Sequence, residues 1–249
     1  MQKIIIPIIS ILLLFMSITA HSASFSHAKK VLQNKVYQDH RETFYAGCRY
    51  SKKKRVNWKS CGYSPRKSSK RGKRIEWEHI VPAWAFGHQR QCWQHGGRRN
   101  CRKNDPVFKA MEADMMNLVP AIGELNGDRS NFRYGMIAGE HRAYGQVDFE
   151  VDFKLKRSEP RPEVRGDIAR TYFYMQRTYG LRISSSQHKL FAAWKKQDPI
   201  SAWEIERTRR ISHLQKIIRP VAITEAVKNG RPSGLINNHS APREQSPAG

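Results

Sequence analysis

Arg74-Ile75-Glu76-Trp77-Glu78-His79-Ile80-Val81-Pro82-Ala83-Trp84 is the stretch on which the fold turns. Ile75 to Val81 has strand character, and Pro82 ends it. Successive residues of a strand point to opposite faces, so Glu78 and His79 cannot serve one task through one face. A carboxylate that grips a metal and a histidine that activates water beside it would use that splayed arrangement. For an arbitrary Glu-His pair the bland reading, one exposed Glu and one satisfied His, is the better one. Apolar neighbours and a strongly basic chain favour the functional reading here.

The chain has 249 residues, with 45 Lys+Arg against 21 Asp+Glu and a formal net charge of +24. Such an excess favours DNA, RNA, an acidic polysaccharide or an anionic membrane as partner. Lys3, the apolar run Ile4 to Ile18, and the small residues Ala20, Ser22 and Ala23 describe a secretory signal peptide over residues 1–23. A retained anchor is the competing reading, but a spanning helix needs about 20 apolar residues, and Pro7 and His21 shorten this run. The remaining chain, about 225 residues, suffices for one well-cored domain. Export permits disulfides among Cys48, Cys61, Cys92 and Cys101. Four cysteines allow three pairings, and close spacing favours Cys48–Cys61 and Cys92–Cys101. A zinc site lacks its Cys-x-x-Cys pair.

Helical spacing is expected over Ser24–Gln38, and short strands over Phe44–Tyr50 and Val56–Trp58. A basic exposed loop is expected over Tyr63–Arg74, with a turn at Gly96-Gly97. Asp105 and Pro106 predict a helix to Met116, and Ile122–Phe132 reads as another. Alternation over Gln146–Leu155 predicts a strand. Three helices are expected over Asp167–Tyr179, Ser186–Lys196 and Pro199–Ile218, the last started by Asp198-Pro199. Residues 24–219 thus form one domain, and 220–249 a loose tail. The polar segment Gly123 to Asn131 offers several oxygen ligands where a core helix should show apolar residues. A Glu and an Asn amide oxygen would make a minimal set for Mg²⁺, which prefers hard oxygen donors and keeps several waters.

The blocks Glu76-Trp77-Glu78-His79-Ile80-Val81-Pro82-Ala83-Trp84, Phe86-Gly87-His88-Gln89-Arg90-Gln91-Cys92-Trp93 and Gly96-Gly97-Arg98 resemble the endonuclease I family of secreted or periplasmic bacterial nucleases. Asn117-Leu118-Val119-Pro120, Gly123-Glu124-Leu125-Asn126-Gly127-Asp128-Arg129 and Ala169-Arg170-Thr171-Tyr172-Phe173-Tyr174-Met175 continue the likeness, which spans roughly residues 24 to 215. It implies an α+β single domain around a ββα-metal (His-Me finger) core with flanking helices. By motif, His79 would be the general base, Glu78 and Asn126 would hold one Mg²⁺ (Ca²⁺ or Mn²⁺ substituting), and Arg98 would steady the scissile phosphate. The implied reaction cleaves DNA, and often RNA, with little sequence preference, leaving 5′-phosphate ends. A periplasmic or secreted monomer with no membrane anchor after cleavage is expected.

Lys52, Lys53, Lys54, Arg55, Arg74, Arg99 and Arg129 are the candidate nucleic-acid contacts. Asn117 is expected to hold backbone, Trp84 and Trp93 to pack in the interior, and His88 and His95 to be structural or superficial. Two departures from the family stand out: Met116 occupies a position that often holds His, and a cysteine pair is absent at Ala46 and near Ile205. The competing function is a non-catalytic basic module for DNA uptake or polyanion adhesion. It explains the charge but not the set Glu78, His79, Arg98 and Asn126. A metallopeptidase is excluded by the lack of His-Glu-x-x-His.

Overall fold

The computed structural model describes residues 24–139 and 141–218; the expected leader and the expected tail after Pro220 lie outside the described residues. Helix α1 (Phe25–Val31) begins at Ser24, whose hydroxyl accepts from the His27 amide, and continues as a π-helical turn over Leu32–Val36. Then come α2 (Ser69–Gly72), β1 (Ile75–His79), α3 (Ala83–Gly87), α4 (Gln91–Gln94), α5 (Gly97–Asn104) and α6 (Pro106–Glu112). β2 (Leu118–Ile122) and α7 (Gly123–Arg129) follow. The chain closes with β3 (Arg133–Tyr134), β4 (Phe149–Asp152), β5 (Arg157–Pro160), α8 (Arg165–Tyr179), α9 (Ser185–Gln197) and α10 (Ala202–Ile218).

β1 pairs antiparallel with β2 from Ile75 opposite Ile122 to His79 opposite Leu118. α7 leaves β2 without a loop, so β1, β2 and α7 form the expected ββα unit. The two strands are joined not by a tight turn but by the four helices α3 to α6. A second sheet has the order β3-β5-β4, parallel in its first pair and antiparallel in its second. The mixed α+β single domain is therefore as expected.

Three apolar clusters hold these pieces. One joins Tyr45, Ile80, Leu125 and Phe149 to Ile168 and Trp194 on α8 and α9. Another packs Ile75 and Trp77 of β1 against Leu32, Val36 and Ile211. A third packs Val81 and Phe86 against Phe108, Met111 and Met175. β1 is thus enclosed on its odd-numbered face by α1 and α10, while its even-numbered face meets α7. Arg207 on α10 locks the entry to β2, donating to the carbonyls of Met115 and Leu118 at 3.0 Å and to the Tyr37 hydroxyl at 2.7 Å.

Several local expectations need correction. Phe44–Tyr50 and Val56–Trp58 are not strands; only isolated bridges, Glu42 to Arg49 and Tyr50 to Val56, occur there. The chain must turn at Gly47, whose φ of +64° suits glycine, and residues 58–60 curl into a 3₁₀ turn. The Gln146–Leu155 alternation yields only the four residues of β4. Asp198-Pro199 does not start the last helix; the Ser201 hydroxyl accepts from the Glu204 amide at 3.1 Å instead. Asp105 does cap α6, accepting from the Phe108 amide at 2.9 Å, and both favoured disulfides form, Cys48–Cys61 and Cys92–Cys101.

Candidate active site

β1 delivers its last two residues, Glu78 and His79, to opposite sides. His79 is 6% exposed, and its Nε2 lies 2.8 Å from the Glu112 carbonyl oxygen. A carbonyl only accepts, so Nε2 carries the ring proton and Nδ1 keeps its lone pair. Burial, then the Arg98 charge, lowers its pKa to about 4. The imidazole is therefore neutral at physiological pH, the form a general base requires.

Glu112 organises the cationic side of this site. Its carboxylate is almost fully buried and accepts from Arg98 Nε at 2.6 Å and from Arg102 Nε at 2.8 Å and Nη2 at 2.6 Å. Burial alone would raise its pKa, but the Arg102 and Arg98 hydrogen bonds and charges outweigh that and hold it below the usual carboxylate range. One residue thus fixes the imidazole through its backbone and the Arg98 guanidinium through its side chain. α5 presents Arg98, and the Cys92–Cys101 bridge ties that helix to α4. Arg98 spends Nε on Glu112, and its side chain stays 40% exposed.

The other face of β1 meets α7. Glu78 is buried, and its Oε1 accepts from the Tyr45 hydroxyl and from Arg129 Nη1, each at 3.0 Å. Asn126 Nδ2 donates not to Glu78 but to Oε2 of the neighbouring Glu76 at 3.1 Å. This contact sets Asn126 against the even-numbered face of β1, which carries both Glu76 and Glu78. Burial raises the Glu78 pKa despite the Arg129 charge and the Tyr45 hydroxyl. A carboxylate and an amide oxygen are the hard donors that a divalent cation such as Mg²⁺ would take here, with waters completing its shell. Among the described residues no three His, Cys, Asp or Glu side chains cluster as a protein-only metal cage.

The remaining candidates separate by exposure. Lys52, Lys53, Arg55, Arg74 and Arg99 are exposed, and Lys54 is half-buried. Arg129 is a correction: it is fully buried, donating also to the carbonyls of His79 and Ile80, and cannot reach a phosphate. Glu124 and Asp128 explain the polarity of α7. Glu124 accepts from the Tyr63 hydroxyl and the Arg66, Lys67 and Ser68 amides, and Asp128 pairs with Arg66 at 3.0 Å. They shape the basic loop before β1 rather than bind metal.

Asn117 holds backbone as expected, bridging the Val81 amide at 2.7 Å and carbonyl at 3.0 Å. His88 and His95 each bond a carbonyl one helical turn back. Trp93 is partly buried, but Trp84 is not interior: it is 46% exposed and stacks on His88 at 3.7 Å. Met116 packs beside the second cluster and lines a cavity of 280 Å³ near α8 and α10. Sequence reasoning missed Glu112, Tyr45 and Arg102. Only Glu112 left a trace, a carboxylate closing an otherwise apolar helix.

Over residues 16–222 the chain matches the family described as Endonuclease I. It belongs to the endonuclease I family. Among its relatives, an extracellular deoxyribonuclease of Aeromonas hydrophila is 51% identical over 86% of this chain and 96% of the relative. A periplasmic deoxyribonuclease of the same organism is 50% identical over 86% and 93%. Endonuclease-1 of Buchnera aphidicola is 46% identical over 75% of each chain. The endonuclease I assignment covers the whole ββα unit and the helices around it. No helix among the described residues is long and apolar enough to cross a membrane.

Proposed function

We propose that this endonuclease I member is a periplasmic or secreted enzyme that hydrolyses phosphodiester bonds of DNA, and of RNA, without sequence preference. His79 is the base, Arg98 the phosphate clamp, and Glu78 with Asn126 the holders of one Mg²⁺. The secreted nuclease assignment is supported by relatives named extracellular and periplasmic deoxyribonucleases. The residue roles are supported chiefly by one observation: a buried, neutral His79 whose Nε2 is committed to the Glu112 carbonyl.

His79 Nδ1 takes a proton from water as the water oxygen attacks phosphorus. The bond from phosphorus to the 3′ oxygen breaks, and that oxygen takes a proton from solvent, leaving a 5′-phosphate. General base catalysis of this kind typically contributes about 10²–10⁴-fold. Arg98, with Nε held by Glu112, offers its Nη groups to the non-bridging oxygens, where charge grows in the transition state. When bound, Mg²⁺ supplies Lewis-acid stabilisation of that charge and of the leaving oxygen. Arg129 and Tyr45 hold the Glu78 carboxylate in place.

Plasmid incubated with the processed protein and Mg²⁺ is expected to be nicked and degraded, and chelation should stop this. Intact plasmid in the presence of folded protein would sink the reading. His79→Ala should abolish cleavage while DNA binding survives; near-native cleavage would remove His79 as the base. End-labelling of the fragments tests the 5′-phosphate.

A further inference from the structure

α1 lies some fifty residues before β1, yet its first residue reaches the site. The Phe25 ring centroid is 4.9 Å from that of His79, with planes 31° apart. The Arg98 guanidinium lies 5.6 Å from the same ring, and Lys29 Nζ lies 4.5 Å from it. Phe86 meets the imidazole from another direction, 6.2 Å away and edge-on. Phe25 is itself anchored, because Ser24 caps α1 and Ala28, one turn on, is buried in the core.

We propose that Phe25 is a positioning residue for phosphodiester hydrolysis, its ring holding the His79 imidazole and the Arg98 guanidinium in one shared arrangement. This rests on His79 and Arg98 having the roles given above. The hydrogen bond from Nε2 to Glu112 fixes one atom of the imidazole but leaves the ring free to tilt about it. An aromatic ring against its face removes that freedom and keeps water off the side not used in catalysis. Arg98 has the same need. Its Nε is tied to Glu112, while the guanidinium plane is oriented by attraction to the electron-rich face of Phe25. Glu112 and Phe25 each touch both working groups, one by hydrogen bonds and one by ring contact.

Steady-state kinetics on a DNA duplex with Mg²⁺ test this, using Phe25→Ala, Phe25→Tyr, Leu32→Ala and His79→Ala. Displacing a catalytic group by ~1 Å can cost about 10²-fold in rate. Phe25→Ala is accordingly expected to lower kcat by about 10–100-fold with KM within about threefold. Phe25→Tyr keeps the ring face and should stay within about threefold of wild type in kcat. Leu32→Ala loosens the buried side of α1 without touching His79, so it should lower Tm but keep kcat within about twofold below that Tm. If Phe25→Ala fails to fold, Phe25→Leu, apolar but without the aromatic face, should lose at least about fivefold in kcat. The proposal is overturned by near-native kcat in Phe25→Ala (or in Phe25→Leu in its place). It is equally overturned if Phe25→Tyr is as impaired as Phe25→Ala, or if Leu32→Ala gives the same kcat loss. An active His79→Ala overturns the base assignment and this proposal together; an inactive one with unimpaired Phe25→Ala overturns Phe25 alone.

Discussion

Arg129 shows how one side chain can carry opposite meanings in sequence and in structure. Beside Asp128 in a basic chain it reads as a phosphate contact; in the fold it neutralises Glu78 with no exposure at all. Removing one partner of a buried ion pair typically costs about 3–5 kcal/mol, because the other charge stays buried and unpaired. Arg129→Ala should therefore lower unfolding free energy by roughly that amount in urea titration. Arg99→Ala, an exposed change, should stay within about 0.5 kcal/mol of wild type in the same titration. Its effect belongs in binding: it should reduce the slope of log K against log salt for DNA by roughly 0.9. Equal stability of both variants would refute the division of labour. His79 was legible because its neighbours in the motif are legible, whereas its proton donor relation to Glu112 depends on a backbone atom that carries no sequence signal.

At the scale of elements, β1 was readable because its pattern is local. Ile75 and Trp77 alternate with Glu76 and Glu78, and Pro82 stops the strand. α6 was readable for a similar reason, since Asp105 and Pro106 sit where a helix start needs them. Residues 44–50 misled because an aromatic-rich run looks like a strand, while Gly47 and the Cys48–Cys61 bridge bend it into a loop. The other bridge matters to the site. Closing a nine-residue separation, Cys92–Cys101 should contribute about 2–3 kcal/mol through the unfolded chain. A Cys92→Ser, Cys101→Ser double variant should lose that stability. Its activity at temperatures where it remains folded should fall further, since α5 carries Arg98. Unchanged kcat in the folded variant would show that α5 needs no staple to present Arg98.

For the whole molecule, charge acts in two registers: a basic exterior for polyanions, and buried carboxylates that report on pH. On α8, burial and the neighbouring Glu204 carboxylate push Asp167 up to about 8, against the pull of Arg170. In the unfolded chain Asp167 loses its proton near its ordinary value, while the folded protein holds it until about pH 8. The unfolded state is therefore favoured progressively as pH rises between those values, and stability present in acid is lost towards pH 8. Asp167→Asn removes this penalty and should stabilise the protein by about 1–2 kcal/mol at pH 8, with little gain at pH 4. Thermal melts of both proteins across that window decide it; parallel curves would refute the assignment.

Sequence by itself determined the basic character and favoured the cysteine pairing by proximity, while the resemblance to the endonuclease I family implied the ββα unit and pointed to Glu78, His79, Arg98 and Asn126 as the residues to watch. Each of these rests on local pattern or on contiguous motif blocks. Tertiary structure alone decided that Arg129 is interior, that Glu112 joins His79 to Arg98, that Asn126 leans on Glu76, and that Phe25 packs against His79. Those contacts join segments distant along the chain, and packing, not periodicity, brings them together. A residue's chemical type can be read in one dimension; whether its charge meets water, a carboxylate or a phosphate depends on what the fold places against it.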